Sequence, residues 1–108
     1  MQTGRLEKLL DFLKNEPDDE FLQYALATEY LRLNDTEKAL QYYETLVTKH
    51  PNYVGTYYHL GKLYEALDRK TEAISTYEKG MEIAKAMRDN HAFSELQAVW
   101  QEAADEDY

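Results

Sequence analysis

Residues 51–84, PNYVGTYYHLGKLYEALDRKTEAISTYEKGMEIA, restate residues 17–50, PDDEFLQYALATEYLRLNDTEKALQYYETLVTKH, at a period of 34. Eight aligned positions are identical: Pro17 and Pro51, Tyr24 and Tyr58, Leu26 and Leu60, Tyr30 and Tyr64, Leu33 and Leu67, Ala39 and Ala73, Tyr43 and Tyr77, Glu44 and Glu78. Composition alone would give about two or three matches, so the chain reads as stacked copies of one supersecondary unit. Such arrays present surfaces more often than they run reactions.

Each copy reads as two helices and a short turn. In the first, Leu22, Leu26, Tyr30 and Leu33 recur at three- and four-residue spacing and share one helical face. Asp18 or Asp19 is placed to cap the start, and Asn34 suits the left-handed geometry of a helix end. Asp35 caps a second helix whose inner face carries Ala39, Tyr43 and Leu46, and His50-Pro51 ends it. The second copy repeats the plan: Asn52 as cap, then Tyr57, Leu60, Leu63, Tyr64 and Leu67 inward. Asp68 takes the turn, and Ala73, Ile74, Tyr77 and Met81 follow on the next helix. Ala27 and Gly61, and likewise Ala39 and Ala73, mark places where helices cross closely.

These residues carry a family resemblance. Leu26-Ala27-x-x-Tyr30, Ala39-x3-Tyr43 and Pro51, then Tyr57-x2-Leu60-Gly61-x2-Tyr64 and Ala73-x3-Tyr77, resemble the tetratricopeptide repeat. The first copy departs at Gln23, where an aromatic is usual, and the second has Lys85 where the terminal Pro would fall. The resemblance covers Pro17 to about Met87. It implies an all-α fold, a right-handed superhelix of antiparallel helix pairs.

The flanks complete a core that two copies alone would leave marginal. Leu6, Leu9, Leu10 and Leu13 form an apolar stripe, and residues 1–16 occupy the place of a repeat's second helix. Leu96-x3-Trp100 echoes Leu60-x3-Tyr64 after 36 residues, a slip that the missing Pro explains. The helix through Tyr77 and Met81 is expected to run on to about Met87 and turn at Asp89-Asn90. A last helix then buries Ala92, Leu96, Val99 and Ala103. About six helices result, in a single domain. Its parts are an N-terminal helix (1–16), repeat 1 (17–50), repeat 2 (51–87), a capping helix (88–104) and a frayed acidic tail (105–108).

Charge and composition exclude several functions. The 108 residues carry 12 Lys and Arg against 21 Asp and Glu, a net charge of −9. Residues 1–17 sum to zero, 18–50 to −4, 51–84 to −1 and 85–108 to −4. Nucleic acid and anionic membranes are repelled by such a chain. No cysteine is present, which excludes disulfides and thiolate chemistry and suits a reducing compartment. The N-terminus lacks an apolar run of signal-peptide or membrane-span length, so a cytoplasmic protein is expected. His50, His59 and His91 show no paired-ligand spacing, and no metal or other cofactor is expected. The carboxylates fall mostly on outward faces among Lys and Arg, with no apolar pocket evident to raise a pKa for acid–base work. No catalytic residue is expected, and the chain does not read as an enzyme.

Binding is the reading that remains. Tyr24 and Tyr58 precede a core Leu by two residues, about 200° around the helix, and so face away from it. In the resembled family this face of the first helix lines a concave groove. Carried over by position, the groove takes Phe21, Tyr24, Thr28 and Arg32 from one copy and Tyr58, His59, Lys62 and Glu65 from the next. Tyr and Arg are favoured at binding hot spots. The family's chaperone clamp needs Lys and Asn donors for a terminal carboxylate. Here Tyr24, Thr28, His59 and acidic or neutral residues around 89–95 stand instead, so that clamp is not expected. The expected partner is a peptide or helical segment of another protein. The alternative is a self-associating unit, a homo-oligomer formed through exposed array ends, with Phe12 beside the leucine stripe.

Overall fold

The computed structural model describes residues 2–105. Six helices account for nearly all of them: α1 (Gln2–Asn15), α2 (Glu20–Arg32), α3 (Thr36–Lys49), α4 (Gly55–Ala66), α5 (Lys70–Met87) and α6 (Asn90–Asp105). No strand occurs among the described residues.

The starts of α2, α3 and α6 follow from short acidic side chains. Asp19 accepts from the Leu22 N–H at 2.9 Å, Asp35 from Lys38 at 3.2 Å, and Asp89 from Ala92 at 3.0 Å. The α4 start departs from expectation. Asn52 lies in a turn ahead of the helix, Val54 is the capping residue, and no side chain bonds the first turn. Helix ends repeat one device three times. Asn34, Asp68 and Arg88 take φ of 64°, 61° and 61°, and the next N–H reaches back to Tyr30, Tyr64 and Ala84 at 2.8, 2.8 and 2.9 Å. The left-handed residue closes the helix by satisfying a carbonyl of its last turn. In the last case Arg88 takes it, one residue before the expected Asp89-Asn90 turn.

The chain divides into two compact units, Met1–His50 and Pro51–Tyr108. In the first, α2 packs on α1 and on α3. Leu9, Ala25 and Leu26 form a buried centre, with Leu6, Leu10, Leu13, Leu22, Tyr30 and Tyr42 against it. Ala39, Tyr43 and Leu46 are fully buried on α3. The Tyr30 and Tyr42 rings stack at 5.6 Å. In the second unit α5 packs on both α4 and α6, and α4 also meets α6. Its core is Tyr57, Leu60, Leu63, Tyr64, Ala73, Tyr77, Ala84, Leu96, Val99 and Ala103. Leu67, expected inward, is 38% exposed because it caps the end of α4 rather than lying within it. Of the expected frayed tail, 105–108, Asp105 is the last residue of α6 and the rest lies outside the described residues.

Two equivalent positions show how the units vary one plan. Tyr57 donates its hydroxyl to the Pro51 carbonyl at 2.6 Å. Gln23, one period earlier, is buried and donates its side-chain amide to the Pro17 carbonyl at 2.9 Å. The departure at Gln23 therefore preserves the bond that ties helix to preceding turn. It leaves Gln23 Oε1 buried without a partner.

Candidate partner-binding surfaces

In the first unit, Phe21, Tyr24, Thr28 and Arg32 fall at three- and four-residue steps along α2, one stripe of that helix. Their surroundings differ. The Tyr24 ring meets the Tyr43 ring edge-on at 6.3 Å. Thr28 Oγ1 donates to the Tyr24 carbonyl at 3.1 Å and stands 3.3 Å from the Tyr43 hydroxyl, which is then the donor to it. Burial pushes the phenols of both Tyr24 and Tyr43 above their ordinary value, so they remain neutral donors. Phe21 is 61% exposed and faces Phe12 across a depression of about 420 Å³ that Asn15, Glu16, Asp19 and Leu22 also line.

Arg32 leads to a residue the sequence reading missed. Its guanidinium grips Glu29 with both carboxylate oxygens engaged, Nε to Oε1 at 3.1 Å, and Arg5 of α1 adds a contact at 3.4 Å. Glu29 is only 3% exposed, although carboxylates were expected on outward faces. The second copy has the apolar Leu63 at this position. The signal was present: a carboxylate where the repeat wants Leu, with Arg32 three residues on. The Arg32 hydrogen bond, then the charges of Arg32 and Arg5, hold the Glu29 carboxyl below the ordinary range. A lowered carboxyl pKa adds stability that is present above the unfolded value of about 4.3 and lost as pH falls through the folded one. Melting temperatures of the wild type and Glu29→Gln should therefore differ near pH 7 and converge as pH falls below about 4. A gap that stays constant down to acid pH would contradict this.

In the second unit, α4 carries Tyr58, His59, Lys62 and Glu65. The Tyr58 and His59 rings meet edge-on at 5.5 Å. Burial lowers the His59 pKa, with the Glu95 charge pulling the other way. Lys62 is exposed. Glu65 accepts a short hydrogen bond from the fully buried Tyr77. Burial first, and that bond second, push the Tyr77 phenol far above its ordinary value. Tyr43 and Tyr77 were read as core alone. Each does fill the core, and each also delivers its hydroxyl to the stripe, to Thr28 in one unit and Glu65 in the other. The structure thus joins Tyr24 with Thr28, Arg32 with Glu29, Tyr58 with His59, and Glu65 with Tyr77.

Among the described residues no group of three or more His, Asp or Glu side chains is placed to hold a metal ion. No helix there is long and apolar enough to cross a membrane.

A family model for the tetratricopeptide repeat matches residues 24–86. The chain belongs to the tetratricopeptide repeat family. No curated protein matches it. A tetratricopeptide repeat domain protein from Salinibacter ruber, solved in solution, is 49% identical with a TM-score of 0.78, over 81% of this chain and 88% of that one. A protein from Bordetella parapertussis is 25% identical with a TM-score of 0.79, over 94% and 88% of the two chains. The TPR2B domain in the pHsp70 complex of yeast Sti1 shares the fold, with a TM-score of 0.83 at 16% identity, over 93% and 80%. The tetratricopeptide repeat fold is typical of protein–protein interaction modules.

Proposed function

We propose that this tetratricopeptide repeat chain is a non-catalytic cytoplasmic module that binds a peptide or helical segment of another protein, with the α2 stripe of the first unit and the α4 stripe of the second each a contact surface. The observation that carries the reading is the pairing of half-buried aromatic rings with oriented polar groups on each stripe. Tyr24 is held edge-on to Tyr43 beside Thr28, and Tyr58 is held against His59 one turn before Lys62. Rings fixed this way offer contact area with little further entropy to lose. Thr28, Lys62 and Glu65 add the donors and acceptors that orient a bound backbone. The Arg32–Glu29 pair supplies a preformed guanidinium plane at the end of the α2 stripe.

Peptides selected from a displayed library against the wild type supply the probe. Tyr24→Ala and Tyr58→Ala should each weaken the selected peptide about 30-fold or more, the range of an aromatic hot spot. Lys62→Ala should weaken it less and mainly at low salt. Melting temperatures should hold for Tyr58→Ala and Lys62→Ala. Unchanged affinity in all three variants would remove the assignment.

A further inference from the structure

The Phe12–Phe21 depression takes Phe21 from the start of the α2 stripe and its other wall from α1 and the turn after it. In the second unit, each of the three helices meets both of the others. In the first, α1 packs on α2 while Phe12 stays 60% exposed and Phe21 61%. Two large aromatic rings at that exposure form an apolar patch that calls for an occupant.

The charges around the patch identify one. Arg5, Lys8 and Phe12 follow one another at three- and four-residue steps along the exposed side of α1, and Glu16, one residue past its end with its N–H bonded to the Phe12 carbonyl at 3.0 Å, continues the stripe. Its N-terminal end is basic: Arg5 and Lys8 follow one another there, and Arg5 contacts the Glu29 carboxylate that Arg32 also binds. Its C-terminal end is acidic, with Glu16 and Asp19 beside the two rings. Phe12 lies midway, four residues from Lys8 and four from Glu16. Turned end for end about Phe12, the stripe is its own complement, which is the requirement of an isologous two-fold contact. Residues 1–17 also sum to zero charge in a chain of −9, so two copies repel least where these segments meet.

We propose that the occupant is a second copy of this chain, paired antiparallel through α1. Phe12 of each copy meets Phe12 of the other at the two-fold axis, Phe21 flanks them, and Lys8 of each copy faces Glu16 of the other. This goes beyond peptide binding, whose tested residues Tyr24, Tyr58 and Lys62 take no part in the α1 contact, so each can fail without the other.

The test measures mass by sedimentation equilibrium across concentration, at low and at physiological salt. The wild type should approach twice the 12.7 kDa chain mass, more readily at low salt. Phe12→Ser exposes no core residue and should raise the dissociation constant about 30-fold or more. Lys8→Glu and Glu16→Lys should each dissociate, because each places like charges together twice. Mixed in equal amounts, the two variants should form a heterodimer, since one interface pair is then native and the other reversed but matched. A monomer at every concentration overturns the proposal and leaves the patch to a different protein. So does a dimer indifferent to Phe12→Ser, or variants that fail to reassemble on mixing while the wild type dimerises.

Discussion

Gly61→Ala should destabilise the chain by about 2 kcal/mol, a large cost for adding one methyl group. A Cβ at Gly61 would lie 2.6 Å from Cδ1 and Cζ of Tyr77 and nearer still to Cε1. Overpacking of this kind costs about 3 kcal/mol, and the better helix propensity of Ala returns about 1. The ring has nowhere to go, because Tyr77 is fully buried and its hydroxyl is held by Glu65. The first unit explains why the same position elsewhere accepts a Cβ. Ala27, one period earlier, is buried in α2, the helix whose Thr28 meets the Tyr43 hydroxyl. Leu31 stands where Glu65 would be, so no carboxylate draws the Tyr43 ring across Ala27. Urea denaturation of Gly61→Ala in the wild-type and Tyr77→Phe backgrounds decides the matter. Removing the hydroxyl should shrink the cost by releasing the ring from Glu65. An identical cost in both backgrounds would show that the Glu65 bond does not pin it.

How much of this was legible in the sequence depends on whether a residue's role is local. The helices were legible because their causes lie within one turn of chain. Asp19 and Asp35 cap, Asn34 and Asp68 turn, and Leu22, Leu26 and Tyr30 repeat on one face. Where a cap competes with a turn, the local reading fails: Asn52 has the right chemistry but belongs to the turn that follows Pro51. Glu29 failed for a different reason. Its partner Arg32, three residues on, was a local signal that went unread, and its contact with Arg5 comes from another helix, 24 positions away, where no spacing rule reaches. The candidate stripes were half legible. Helical geometry turned Tyr24 and Tyr58 away from the core, but it could not show that Tyr43 and Tyr77 reach through from the core to Thr28 and Glu65. Phe21 was assigned by its place on α2, and its neighbour Phe12 becomes evident only once α1 lies beside it.

Tyr57→Gln should cost about 3 kcal/mol, although Gln at the equivalent position 23 serves the first unit well. The amide can keep the bond to the Pro51 carbonyl, as Gln23 does to Pro17. What it cannot replace is the fully buried ring, whose loss opens a cavity. The compensating residue is on α5. A Cβ at Gly80 would come within 2.5 Å of the Tyr57 Cβ and 3.0 Å of Leu96 Cδ1, so α4 and α5 approach closely there because Gly80 has no side chain. One period earlier the same place holds Leu46, fully buried, in the unit that carries Gln23. The two units thus use opposite pairings: a large ring with Gly in one, a slimmer amide with Leu in the other. Gly80→Leu alone should be worse than Tyr57→Gln, since neither the Tyr57 Cβ nor the backbone behind it can give way. In the double variant Tyr57→Gln with Gly80→Leu, Gln keeps the Cβ and Cγ that a Cβ at residue 80 meets, so only the cavity left by the ring is refilled, by the outer atoms of the Leu; that recovery should appear as a coupling of about 1 kcal/mol between contacting sites. Denaturation of the two singles and the double gives that coupling directly. Strict additivity would mean that the opposite pairings in the two repeats arose without packing against each other.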